Sequence, residues 1–219
     1  MNFLRGIFRT GSFDTHRLDA FSDGVFSIVI TLLILEIRVP QIHGENISQE
    51  LVQGLILLSP KFFCYVLSFA YISIYWVNHH QLFHVIERSD RGLFWFNSLF
   101  LMFLAFIPFP TALIGEYPRE HVAVIFYGVA MLAAAVSFGL MKWYAVDIGK
   151  LVDPDIESKL LKTSVLKILV GPLLYLFAIA AAFWNTDVAI LTYVIIPIIY
   201  FIPSQAEKII FNTRRMKRD

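Results

Sequence analysis

The chain has 219 residues, 58% of them hydrophobic and only 16% charged, with a formal net charge of +1 and a mean hydropathy of +0.67. Soluble domains carry about 25% charged residues, so this composition excludes an ordinary soluble enzyme and points to a polytopic membrane protein. The near-neutral balance excludes general nucleic-acid binding, and the single cysteine, Cys64, excludes an internal disulfide and reads as a small buried apolar residue.

A helix that crosses the hydrocarbon core needs about 20 mostly apolar residues. Six stretches qualify, namely Ala20–Val39, Pro60–Asn78, Leu93–Ile114, Val122–Tyr144, Val165–Trp184 and Val188–Pro203. They predict an all-α membrane protein with one six-helix domain over 1–219, a short N-terminal tail (1–16) and a short C-terminal tail (204–219). The opening MNFLRGIFRTGSF interleaves basic and aromatic residues and lacks the continuous apolar core of a signal peptide. Targeting then falls to the first span.

That span sits in RLDAFSDGVFSIVITLLILEIR, residues 17–38. Charge is confined to its ends, and Gly24 to Leu35 carry none. Wound at 100° per residue, Gly24, Ile28, Thr31 and Leu35 share one face and Ser22 falls on the opposite side. Two readings of the stripe stand: helix or lipid packing, or the wall of a pore. If several copies met on an axis, Ile28 would form a ring of branched methyls of the kind that gates by dewetting, with a ring of Thr31 hydroxyls one turn outward. Arg17, Ser22 and Asp23 at the start of a span are costly unless paired. Arg17 lies too far round the helix to reach Asp23, so the partner comes from another helix.

The second span ends YWVNHHQLFH, carrying Trp76, Asn78, His79, His80 and His84 to the depth of Ser22 and Asp23. His79 and His80 point about 100° apart and can serve two neighbours, either of them reaching Asp23 or Ser22. His80 and His84 have a metal-ligand spacing, but there is no second histidine box. These histidines read as interfacial structural groups, with a proton relay as the other option. The third span adds Asn97 at the same depth, and Pro108 and Pro110 kink or end its outer half. One polar knot of Arg17, Ser22, Asp23, Asn78, His79, His80 and Asn97 is expected.

After the fourth span, Trp143 and Tyr144 beside Lys142 mark a headgroup level, as does Trp184 at the end of the fifth. Asp153-Pro154 starts an amphipathic segment expected to lie on the inner surface. The basic tail NTRRMKRD suits anionic lipid or simple anchoring.

Charge fixes orientation. Placing the N-terminus inside puts Arg5, Arg9 and Arg17, Arg88 and Arg91, Lys142, Lys150, Lys159, Lys162 and Lys167, and Lys208, Arg214, Arg215, Lys217 and Arg218 in the cytoplasm. Only Arg38, Lys61 and Arg119 fall outside, which satisfies the positive-inside rule and leaves both termini cytoplasmic. The outer loops hold Glu36, Glu45, Glu50, Glu116, Glu120 and Asp187, enough to favour cations there or to serve as ordinary solvated charge. No span repeats arginine at every third position, so voltage sensing is not expected.

Arg17-x-x-x-Phe21-Ser22-Asp23 resembles the RxxxFSD signature of the transmembrane protein 175 family of potassium channels, and GVFSIVITLLILEIRVP, WVNHH and FIPFPTALI are similar to its prokaryotic members. The resemblance is strong over three spans and rests on hydropathy over the rest. It implies a potassium-conducting, leak-like channel of the plasma membrane with no TVGYG filter, no cofactor and no enzymatic activity. One six-helix repeat per chain implies a homotetramer, with the pore lined by the first helix. Ile28 then corresponds to the hydrophobic constriction, Thr31 to the selectivity threonine, and Leu32 and Leu35 to further pore-facing aliphatics, with potassium passing near Ile28 and Thr31. Phe21, Ser22 and Asp23 would hold that helix through Trp76, His79 or His80. Ser27 departs from the alanine common at its position. The alternative is a proton-coupled secondary transporter using Asp23 and His79 or His80. Short spans with no visible inverted repeat count against it.

Overall fold

Asp14 opens the first helix. Its Oδ1 accepts from the backbone N–H of His16 at 3.0 Å, and the chain winds unbroken over Thr15–Leu35 (α1). An aspartate ahead of a helix satisfies an otherwise orphan N–H, and the polar RLDAFSD is helical. The computed structural model describes residues 14–42, 46–152 and 169–201. Its other helices are α2 (Ile47–Leu57), α3 (Ser59–Val85), α4 (Arg91–Phe106), α5 (Pro108–Glu116), α6 (His121–Trp143), α7 (Leu169–Ala182) and α8 (Thr186–Phe201). The amphipathic segment expected after Asp153 and the basic tail lie outside the described residues.

Among the described residues, four segments are long and apolar enough to cross a membrane: α1, α3, α4 continued by α5, and α6 with its extension to Ile148. Helices α7 and α8 are apolar but shorter. Helix α3 passes the end expected at Asn78 and continues to Val85. The polar NHHQ lowers hydropathy there, yet its residues tolerate a helix and Leu82, Phe83 and Val85 still find a buried face. The third span divides where its prolines predict. Pro108 has no N–H to give, so α4 closes with Ile107 N–H on Leu104 O at 3.1 Å and α5 begins at Pro108. Helix α2, in the loop after α1, has no span-like signal. Asn46 caps it on Gln49 N at 3.3 Å, and it buries none of its residues.

Helix α3 packs on α1 and α5, α4 packs on α6, and α8 closes against α3 and α6. Hydroxyls tie this frame together. Thr111 gives its proton to Ile107 O at 2.8 Å, so Ser68 donates to Thr111 Oγ1 at 2.8 Å, and Tyr127 Oη donates to Ser68 Oγ at 3.1 Å. Tyr71 Oη donates to Tyr193 O at 2.6 Å and Tyr193 Oη to Val124 O at 3.0 Å. The last bond needs a glycine opposite it: a Cβ at Gly128 would stand 2.2 Å from Tyr193 Oη. Cys64 is buried in the same region.

At its C-terminal end, α6 runs into a π turn over Tyr144–Ile148 and stops at Lys150, whose φ of 49° lets Leu151 N–H reach back to Ala145 O at 2.9 Å. Tyr144 Oη donates to Asp90 Oδ2 at 2.9 Å, while Asp90 Oδ1 caps α4 on Leu93 N at 2.9 Å. One carboxylate thereby fixes the start of α4 against the end of α6.

Candidate functional site

Helix α1 has two unlike faces. Leu18, Ser22, Phe26, Val29 and Leu33 recur at helical spacing and are buried against α3 and α4. On the other side Phe21, Gly24, Ser27, Ile28, Thr31, Leu32 and Leu35 are exposed. Ile28 is 60% exposed and Leu35 70%. An aliphatic stripe of this size without a partner among the described residues marks a surface made to meet something else.

The hydroxyls in that stripe are internally satisfied as donors. Ser27 Oγ gives its proton to Asp23 O at 2.8 Å, and Thr31 Oγ1 lies 2.8 Å from Ile28 O and 3.1 Å from Ser27 O. Each hydroxyl has one proton and two lone pairs, so with the proton committed to the backbone the oxygen is left as an acceptor. The stripe is thus neutral, largely aliphatic and dotted with oxygen acceptors, which suits a cation better than an anion.

The buried face carries the anchor. Ser22, fully buried, gives its proton to Leu18 O at 2.9 Å and accepts from Asn97 Nδ2 at 2.9 Å. Asn97 Oδ1 then faces His79 Nε2 at 2.8 Å. Since the amide oxygen only accepts, Nε2 carries the proton, and Nδ1 is left with a lone pair. The His79 ring is walled by Phe83, stacked at 4.2 Å, and by Phe26 and Phe100 at 5.5 and 6.0 Å. Nearer the rim, Trp76 Nε1 donates to Asp23 Oδ1 at 2.9 Å. Three helices, α1, α3 and α4, are therefore pinned at one depth.

Four of the residues expected in this network stand outside its hydrogen bonds. Arg17 and Phe21 are exposed, and Arg17 has no side-chain partner among the described residues. Asn78 donates to Ile74 O of its own helix at 2.7 Å. His80 points outward and stacks between Trp76 at 5.9 Å and His84 at 6.0 Å. The direct bond from His79 to Ser22 or Asp23 is replaced by Asn97, which reaches between them because α4 lies alongside both helices at this level. Among the described residues no group of three or more histidine, cysteine or acidic side chains could hold a metal ion. One member was not anticipated. Asp19 lies one turn before Asp23 and brings Oδ1 to 3.9 Å from His79 Nδ1. Its position four residues ahead of Asp23 in the same helix was the available signal.

A pocket of about 350 Å³ opens at the C-terminal end of α1, between it and α3 and α5, lined by Leu33, Glu36, Arg38, Lys61, Tyr65, Thr111 and Glu116 among others, with Lys61 and Glu116 ion-paired across it. Its charges balance, so it has no preference of sign.

Residues 17–108 match a family model described as endosomal/lysosomal potassium channel TMEM175. A potassium channel of Streptomyces collinus is 37% identical over 191 residues, covering 85% of this chain and 91% of that one. A potassium channel of Chamaesiphon minutus is 40% identical over 173 residues, covering 78% and 85%. Among solved structures, the crystal structure of a lysosomal potassium-selective channel TMEM175 homolog from Chamaesiphon minutus is similar with a TM-score of 0.71 at 38% identity, covering 85% of this chain and 95% of that one. With relatives this similar along nearly their whole length, the chain belongs to the TMEM175 family.

Proposed function

We propose that this chain is a potassium channel subunit, four copies of which surround a pore lined by α1. The observation that carries the reading is the unpartnered, uncharged stripe of α1, which is exposed from Phe21 to Leu35 while the opposite face is fully engaged. The relatives named as potassium channels support potassium as the permeant ion. Ile28 forms the narrowest ring, Thr31 offers oxygens one turn outward, and Leu32 and Leu35 continue the wall. Potassium sheds part of its hydration at Ile28 and is partly compensated at Thr31. A neutral ring of this kind gives modest selectivity over sodium and a leak-like current.

In this reading α7 and α8 are the fifth and sixth spans, both termini are cytoplasmic and the protein resides in the plasma membrane, by the distribution of lysine and arginine. The network of Ser22, Asn97 and His79 with the Trp76–Asp23 bond holds each pore helix at its inner end. The protein conducts and does not catalyse.

Reconstitution in planar bilayers tests this. The expected result is unitary potassium current that persists without a proton gradient, with Ile28→Ala raising conductance and weakening cation selectivity. Saturable uptake that requires a pH gradient would establish instead the carrier at Asp23 and His79 or His80. Unchanged current in a folded Ile28→Ala protein would remove α1 from the pore. Native mass spectrometry in detergent gives the stoichiometry, and any value other than four overturns the assembly.

A further inference from the structure

The anchor contains two buried atoms that the conduction reading does not use. Asp19 Oδ1 and His79 Nδ1 are the buried side-chain polar atoms without a hydrogen-bond partner among the described residues, and they face each other at 3.9 Å. His79 is fully buried, and the Asp19 side chain is 26% exposed. Hydrogen bonding elsewhere fixes their state. Asn97 Oδ1 takes the proton of His79 Nε2, so a neutral His79 turns a lone pair toward Asp19, and an ionised Asp19 turns another back. Two acceptors opposed in an aromatic box repel and leave both groups unsatisfied, which is costly in a buried site. One proton placed between them removes the conflict.

We propose that Asp19 and His79 together form a binding site for a single proton, which joins α1 to α3 below the pore stripe. The proton comes from water at the inner surface by way of the exposed part of the Asp19 carboxyl. It lies between Oδ1 and Nδ1, and a small rotation of Asp19 closes the gap to hydrogen-bond length. The loaded pair is neutral overall. Release returns the proton to water and leaves one negative charge facing the Nδ1 lone pair. The ionisable groups whose fields reach the pair are His16 and Asp23 from α1 and His80 from α3; from α4 the facing group is the neutral Asn97. Asp23 is itself tied to Trp76, so it stays in place while Asp19 changes state.

Loading therefore adds a cross-helix bond one turn inward of Asp23, on the helix that carries Ile28 and Thr31. The site stands whether or not α1 lines a pore, because its test reads a proton and not a current.

The test is nitrogen NMR of the full chain labelled with ¹⁵N-histidine in lipid nanodiscs, with His79 assigned by the signal lost in His79→Gln. Between about pH 3 and 8, which spans the ordinary ranges of a carboxylate and of an imidazole, the expected result is an Nε2 that keeps its proton throughout. Nδ1 passes from proton-bound to bare as pH rises. In Asp19→Asn the amide N–H is a permanent donor to Nδ1, so the change with pH disappears. A neutral His79 with the proton on Nδ1 and a bare Nε2 would mean that Asn97 and Ser22 have turned over and no added proton is held, which overturns the proposal. So would an Nδ1 signal that does not move with pH, or one that moves equally in Asp19→Asn. Should His79→Gln fail to assemble, thermal unfolding is the second measurement. Wild type loses about 2–4 °C more than Asp19→Asn between the two pH limits, and equal losses overturn the site.

Discussion

Asn97 Nδ2 donates to Ser22 Oγ across 2.9 Å, joining α4 to α1 at a level where both side chains are fully buried. The same amide accepts from His79 of α3, so a single side chain is the shared partner of two other helices. Asn97→Leu keeps the volume and removes both bonds. A buried donor left unpaired costs about 1–3 kcal/mol, and here the His79 N–H loses its acceptor while Ser22 loses its donor. The expected outcome is a clearly lower unfolding temperature in detergent, with Ser22→Ala milder because it removes one of the two bonds. Wild-type melting of Asn97→Leu would show that the amide is not what pins the helices.

Trp76 and Asp23 form the outer part of the same anchor. Trp76→Phe keeps most of the ring and deletes the Nε1–H bond to Asp23, a loss of about 1 kcal/mol at a partly exposed site. Asp23→Asn keeps an acceptor oxygen and weakens the charge-assisted bond. Both substitutions are expected to reduce the fraction of the proposed tetramer that assembles on size-exclusion chromatography. The potassium-to-sodium permeability ratio of the channels that do form should be unchanged, because neither group lies on the stripe of Ile28 and Thr31. A changed ratio with normal assembly would place Asp23 in the conduction path.

The sequence carries the helices and the faces of α1 because both rest on local rules. Apolar runs of spanning length mark α1, α3 and α6, the missing N–H of Pro108 marks the break after Ile107, and a 3.6-residue period separates Ser22 from Ile28. Partner choice is not local. Placing His79, Asn97 and Ser22 at one depth follows from topology, but the order in which they bond depends on how α3 and α4 are rotated about their axes, which packing of Phe26, Phe83 and Phe100 decides. The same rotation turns His80 outward onto Trp76 and gives Asp19 its place opposite His79. Helix α2 escapes a search for spans because it is only one of eleven residues, set by the Asn46 cap and buried nowhere.

Thr31→Val tests the oxygen on the stripe. Valine matches threonine in shape and has no acceptor. Among the described residues the Thr31 hydroxyl bonds only its own helix, so deleting it leaves no partner stranded and stability should hold within about 0.5 kcal/mol. The potassium-to-sodium permeability ratio from reversal potentials is expected to change several-fold, which corresponds to roughly 0.5–1 kcal/mol. An unaltered ratio would leave Ile28 alone as the source of selectivity.

Gly128 tests the frame at a distance from the anchor. Its missing side chain is the space into which Tyr193 Oη enters to reach Val124 O, and a Cβ there would also stand 2.7 Å from Ile179. Alanine is the better helix former by about 1 kcal/mol, yet Gly128→Ala must move Tyr193 off its acceptor, leaving a buried hydroxyl unpaired. Overpacking of this kind costs about 1–3 kcal/mol, so the net effect is destabilising, and Gly128→Leu is worse. Because α8 is held to α6 through this contact, cysteines introduced at the two helices should crosslink less efficiently in Gly128→Leu than in wild type. Tyr193→Phe in the Gly128→Ala background should restore part of the loss, since it withdraws the hydroxyl that collides. A Gly128→Ala protein more stable than wild type would mean that helix propensity outweighs the close approach of Tyr193.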